Sequence, residues 1–293
     1  MAIFIDKSTR VLVQGMTGRE GRSYTEQMIA YGTHVVGGVT PNKGGEWGVR
    51  GRPVFDTVRS AVNATEANAS VIAVAASNAV DAIYEAIDAN IPLIVCITEG
   101  IPMLDMMRLH EYLPRTNSRL IGANCPGVLS PGECSLGIIP GYVAMHGTTG
   151  IVSRSSSLLY EVAYTLSARG IGQSTLVGVG GDPVIGTSFV EVLQEFEDDP
   201  DTERVILIGE IGGHMEIEAA AYVKAHMTKP VYALIVGSSA PYYIRMGHAG
   251  ALIEQDDETA AAKVAVLRDA GIRTADSLPD FYALFLAQLP TEK

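Results

Sequence analysis

Short apolar runs alternate with amphipathic stretches from end to end, and this rhythm restricts the fold more than any other feature. Residues 10–14, 35–40, 71–75, 93–98 and 119–122 are strand candidates, each bounded by Gly, Pro, Asn or Asp. Residues 24–30, 56–62, 79–89 and 104–112 carry helix-type patterning between them. Strands this short and apolar are buried on both faces, and a strand–helix–strand rhythm sets consecutive strands parallel. Residues 140–150, rich in Gly and Thr, break the rhythm. It restarts with strand candidates at 150–153, 174–179, 204–208, 231–236 and 250–253, and helices at 157–168, 188–197, 215–225 and 258–270. The pattern predicts two doubly wound α/β domains in tandem, residues 1–145 and 146–293.

The composition agrees. Of 293 residues, 47% are hydrophobic and only 18% charged, enough apolar material for a large core. A net charge of −12 argues against nucleic acid or membrane as partners. It leaves room for small anions, which a helix N-terminus and a few placed cations bind locally. Cys96, Cys125 and Cys134 are odd in number and lack zinc-type spacing, so they read as reduced thiols of a cytosolic protein. No cluster has metal-ligand spacing, no apolar run approaches the ~18 residues of a membrane span, and the first residues do not read as a signal peptide.

In parallel α/β sheets, ligands bind beyond the carboxyl ends of the strands. Gly15-Met-Thr-Gly18-Arg-Glu-Gly21 follows the first strand and opens a helix, as a phosphate-approaching loop or simply a tight βα turn. Thr40 and Pro41 stand where a dinucleotide fold carries a ribose-binding acid, which counts against NAD. Lys43 follows in a glycine-flanked loop, as a phosphate contact or a solvated side chain. Ser153-Arg154-Ser155-Ser156-Ser157 precedes a helix, as an anion site or an N-cap. Asn124-Cys-Pro126-Gly127 is a polar turn able to bind a carboxylate or oxyanion, or a plain turn.

His248, between Gly247 and Ala249-Gly250, follows the strand at 231–236. Imidazole is a nucleophile near neutral pH, and flanking glycines let bulky groups approach. Glu210, in Gly209-Glu-Ile-Gly-Gly213, ends another strand, where its carboxylate can hold Nδ1–H of a histidine and leave Nε2 to react.

Taken together, these segments resemble the alpha subunit of succinyl-CoA synthetase and related dicarboxylate–CoA ligases. Val11-Leu-Val-Gln-Gly-Met-Thr-Gly18, Gly37-Gly-Val-Thr-Pro-Asn-Lys-Gly-Gly45 and Ile97-Thr-Glu-Gly-Ile-Pro102 carry the first part of the resemblance. Asn124-Cys-Pro-Gly127, Gly150-Ile-Val-Ser-Arg-Ser155, Gly178-Val-Gly-Gly-Asp-Pro183, Gly209-Glu-Ile-Gly-Gly213 and Arg245-Met-Gly-His-Ala-Gly250 carry the rest, in family order along nearly the whole chain. The resemblance implies a Rossmann-like CoA-binding domain followed by a flavodoxin-like ligase domain. It implies that Thr17, Gly18, Arg19, Glu20, Lys43, Ile97, Thr98 and Glu99 meet coenzyme A. It further implies that His248 is phosphorylated, that Glu210 holds its ring, and that the helix starting near Ser155 and Ser156 faces the phosphoryl group. Tyr160, Asn124 and Pro126 fall at substrate positions. ATP or GTP with Mg²⁺ would sit on a beta subunit with an ATP-grasp domain, and the acid would be succinate or a related dicarboxylate such as malate. The expected location is the cytoplasm, or the mitochondrial matrix in a eukaryote.

The chain departs from the family pattern at three places. Ser156 stands for a glycine, Pro241-Tyr-Tyr-Ile-Arg245 for a lysine-rich run, and Val74-Ala-Ala-Ser77 for a proline-containing turn. These departures leave two alternatives open, a ligase for another dicarboxylate and a CoA- or nucleotide-sensing module without turnover.

Overall fold

A computed structural model describes residues 3–275 and 277–288. Residues 1 and 2 of the first expected domain, and 276 and 289–293 of the second, lie outside the described residues. The strands are β1 (Arg10–Gln14), β2 (His34–Val39), β3 (Val54–Phe55), β4 (Ala69–Ile72), β5 (Leu93–Cys96), β6 (Arg119–Gly122), β7 (Gly127–Ser130), β8 (Cys134–Gly137), β9 (His146–Ser153), β10 (Gln173–Gly178), β11 (Arg204–Glu210), β12 (Val231–Val236) and β13 (Arg273–Ala275). The α-helices are α1 (Arg19–Tyr31), α2 (Val58–Thr65), α3 (Ala76–Asp88), α4 (Met103–Tyr112), α5 (Ser156–Ser167), α6 (Phe189–Asp198), α7 (Met215–His226), α8 (Ala260–Asp269) and α9 (Leu278–Leu286).

The first sheet has the order β3-β2-β1-β4-β5-β6 and is parallel throughout. Its middle strands are buried along their whole length, as runs such as Leu-Ile-Val-Cys at 93–96 require. The second sheet has the order β13-β12-β11-β9-β10-β7-β8, parallel except for the antiparallel β7–β8 hairpin on one edge. That hairpin precedes residue 145, so sheet membership changes between Gly122 and Gly127. Its registration needs two glycines: Gly127 (φ 95°) and Gly137 (φ 125°) lie so close that a Cβ on either would strike the opposite backbone. Residues 250–253, expected as a strand, are irregular, and the edge place beside β12 belongs to β13.

Two sets of contacts join the sheets. Thr33, just past α1, accepts from Ser135 N (3.0 Å) and donates to Ser135 O (2.8 Å) on the hairpin. Arg119 donates to Glu195 at 2.9 Å across from α6. The carboxyl ends of both sheets open toward one region, where Glu99 past β5 and Arg154 and Asp182 past β9 and β10 line a common cavity.

Candidate functional site

Glu210 is the last residue of β11, and the segment that returns from β12 lays His248 against it. Nδ1 of His248 lies 2.8 Å from Oε2 of Glu210. The imidazole is 32% exposed, whereas the Glu210 side chain is 7% exposed. Its bond to Glu210 raises the His248 pKa above the ordinary imidazole value, against the opposing effect of burial. With Nδ1 held as the donor to the carboxylate, Nε2 carries the lone pair.

Glycines shape the seat of the ring. A Cβ on Gly181 would lie 2.5 Å from Cγ of His248, so the imidazole packs on bare backbone. Gly250 N donates to Gly181 O at 3.1 Å, which ties the histidine loop to the turn after β10. The second oxygen of Glu210 faces the buried Arg154, at 3.3 Å from Nε. Arg154 also donates to the carbonyls of Gly181 (3.4 Å) and Asp182 (3.3 Å). It thereby braces the strand end and the turn together.

Asn124 links this pair to the first domain. Its carbonyl accepts from Gly181 N (3.3 Å), and its amide donates to Asp182 (2.9 Å). The same residue lines a cavity of about 440 Å³ with Glu20, Tyr24, Val74, Ile97, Thr98, Glu99, Cys125 and Ser156. Six residues expected at ligands thus share one cavity: Glu20, Ile97, Thr98, Glu99, Asn124 and Ser156. Thr17 and Gly18 lie in the adjoining turn and Arg19 opens α1; Thr17 donates to Thr40 at 3.2 Å. No side chain caps α1 at Gly18, which leaves its first amides open to an anion. A Cβ on Gly21 would strike Gly15 O, so the helix starts hard against the turn. Lys43 is exposed in the next loop.

Three more expected residues are not among those that line this cavity. Ser155 caps α5 by accepting from Leu158 N (3.3 Å). Pro126 is buried, its ring packed where a Cβ on Gly178 would stand. Tyr160 packs against the hydrophobic core of the second domain, and burial pushes its phenol up to about 12. Cys125 lines the cavity, and burial raises its thiol pKa, which keeps it protonated.

Four side chains close to His248 and Glu210 are not among the expected site residues: Arg154, Asp182, Glu216 and Lys263. Asp182 lies in a glycine-rich turn after a strand, a signal of the same type as Glu210. Arg154 is hidden in a serine run, and Lys263 in a helical stretch. Among the described residues, no group of three or more His, Cys, Asp or Glu is arranged to hold a metal ion. No helix there is long and apolar enough to cross a membrane.

The chain matches the family described as CoA binding domain over residues 6–100, and that described as CoA-ligase over residues 152–273. It is 50% identical over 277 residues to succinate–CoA ligase (ADP-forming) subunit alpha of Staphylococcus epidermidis, covering 94% of this chain and 91% of that one. It is 52% identical over 275 residues to the protein of the same name from Staphylococcus aureus, with the same coverage. Among solved structures, ATP citrate lyase from Methanothrix soehngenii in complex with citrate and coenzyme A superposes with a TM-score of 0.87 at 24% identity. That match covers 96% of this chain and 50% of the lyase. A dinucleotide-forming acetyl-coenzyme A synthetase from Ca. Korarchaeum cryptofilum follows at 0.73 and 20% identity, covering 95% of this chain and 61% of the synthetase. At these identities the two structures share the fold.

Proposed function

We propose, for a chain that belongs to the succinate–CoA ligase alpha-subunit family and is thereby a subunit of an acid–CoA ligase, that His248 carries the phosphoryl group of the reaction. The observation that carries this reading is the 2.8 Å contact between Nδ1 of His248 and Glu210. It leaves Nε2 as the nucleophile, on a ring that is partly exposed and backed by glycine.

The proposed reaction has three transfers. Nε2 of His248 bonds to the γ-phosphorus of a nucleoside triphosphate held by a beta subunit, and the nucleoside diphosphate leaves. The phosphoryl group then passes from Nε2 to a carboxylate oxygen of succinate or a related dicarboxylate, giving an acyl phosphate and free histidine. Finally the carbon–sulfur bond to coenzyme A forms and inorganic phosphate departs. Such steps depend on positioning and charge stabilisation rather than on covalent strain. Glu210 supports the first by favouring positive charge on the ring as the phosphorus approaches. The open amides at the start of α5, beside Ser156, favour the charge of the group in transfer. Mg²⁺ would travel with the nucleotide on the partner, which we expect to hold it in an ATP-grasp domain.

Coenzyme A fits the first domain through the uncapped start of α1 and the close Gly15–Gly21 turn, both suited to phosphate oxygens. The 440 Å³ cavity suits one arm of the molecule, with Lys43 outside it toward the phosphates. Asn124 spans from that cavity to Gly181 beneath the histidine, a direct route between the two sites.

The test is thioester formation by the assembled complex, with succinate, malate and similar acids compared. His248→Asn should abolish it while leaving coenzyme A binding intact. Turnover by that variant would refute the role given to His248.

A further inference from the structure

A buried ion pair lies directly beneath Glu210. Nζ of Lys263, on α8, donates to the carbonyls of Glu210 (2.8 Å) and Gly212 (2.6 Å) and to Oε2 of Glu216 (2.5 Å). These three acceptors use all three N–H groups of an ammonium. The other oxygen of Glu216, on α7, accepts from Glu210 N at 3.1 Å. Both the N–H and the C=O of Glu210 are therefore bound by one pair of opposite charges. Neither side chain has any exposure. Gly209 makes the room: a Cβ there would lie 2.6 Å from Oε1 of Glu216.

We infer that Lys263 and Glu216 are positioning residues, which fix the Glu210 backbone and so the carboxylate that sets the tautomer of His248. The inference rests on the reading of His248 as phosphoryl carrier. Stability alone does not account for the pair. Desolvating two charges cancels most of their attraction, and apolar side chains of like volume commonly serve a core as well or better. An apolar pair, however, makes no directional bonds to a strand end. Here the two charges hold a peptide from both sides, and the side chain on that peptide orients the imidazole. Arg154 holds the same carboxylate from a third direction. Burial lowers the Lys263 pKa and Glu216 opposes it, so the ammonium depends on its partner.

The experiment uses the complete complex with the partner subunit. Variants are Glu216→Gln, which keeps the shape, and the double Lys263→Met/Glu216→Gln, which leaves no unpaired charge. Four quantities are read: the midpoint of thermal unfolding, the KM for coenzyme A, kcat with its pH profile, and the imidazole ¹⁵N shifts of His248. The inference predicts an unchanged KM and a kcat lowered about 100-fold, the scale of loss expected from a misplacement of ~1 Å. It also predicts an acid limb moved to lower pH and ¹⁵N shifts of a mixed tautomer. Wild-type ¹⁵N shifts and pH profile in a folded variant would overturn it, as would a fall in kcat that simply follows the unfolding midpoint. If the double variant does not fold, Glu216→Gln decides. The ¹⁵N measurement needs no phosphoryl transfer, so it tests positioning even if His248 of the wild type takes no phosphate.

Discussion

Glu210 presents one carboxylate oxygen to Nδ1 of His248 at 2.8 Å and the other to Nε of Arg154 at 3.3 Å. A single buried carboxylate thus faces an imidazole on one side and a guanidinium on the other, and the guanidinium side is braced by the carbonyls of Gly181 and Asp182. Four consequences follow for experiment.

The first is a pH dependence. Glu210 raises the pKa of His248, and only the neutral ring has a free lone pair at Nε2. Phosphoryl acceptance should therefore fall as pH drops through a value above the ordinary 6.5 of imidazole. In Glu210→Gln the acid limb should move to lower pH, while the maximal rate falls by about 100-fold or more as the tautomer is lost. The effect on stability has the opposite slope. Because the folded pKa is the higher one, the His248–Glu210 contact stabilises fully below pH 6.5 and fades as pH rises through the folded value. Kinetics and denaturant unfolding, each measured across pH, check the two slopes.

The second concerns the seat of the ring. Gly181→Ala places a methyl group 2.5 Å from Cγ of His248, so the imidazole must shift or the loop must lift. Turnover should fall about 100-fold, with little change in the KM for coenzyme A. Steady-state kinetics on the assembled complex measure both.

The third concerns Arg154, which is 3% exposed. Arg154→Met removes a buried cation and leaves its share of the Glu210 charge uncompensated. The fold should lose about 3 kcal/mol, seen in urea unfolding. Glu210→Gln/Arg154→Met should lose less than the sum of its singles, because the second change removes the stranded charge.

The fourth separates the two ligand sites. Lys43 is exposed and distant in sequence from the histidine loop. Lys43→Ala should raise the KM for coenzyme A about fivefold, in keeping with an exposed charge contact of under ~1 kcal/mol, and leave kcat unchanged. The rise should shrink in high salt.

Much of this site is written in the sequence, because parallel sheets put their ligands at strand ends and strand ends are punctuated by glycine. Glu210 and His248 both stand at such ends, and the fold brings them together. What cannot be read is hidden by ambiguity of pattern. Lys263 lies in a stretch that reads as an ordinary helix, where lysine usually faces solvent. Its burial follows only from the packing of α8 against α7 and the end of β11. Arg154 looks like one more polar residue in a serine run until the strand register turns it inward. The β7–β8 hairpin is two four-residue runs whose partners lie in a later sheet, and residues 250–253 are apolar without being paired. Ser155 and Ser156 are adjacent in sequence, yet one caps its helix and the other lines the cavity. That division is a matter of helix geometry, which composition cannot carry.

The most direct measurement is the site of phosphate on the protein. The complex of this chain with its partner subunit is incubated with Mg²⁺ and γ-³²P-labelled nucleoside triphosphate, then digested and mapped by mass spectrometry. The predicted result is one acid-labile, base-stable phosphate on His248, absent from His248→Asn and discharged when the acid and coenzyme A are added. A complex that makes thioester without label on His248, or that carries the label on another residue, would contradict the account.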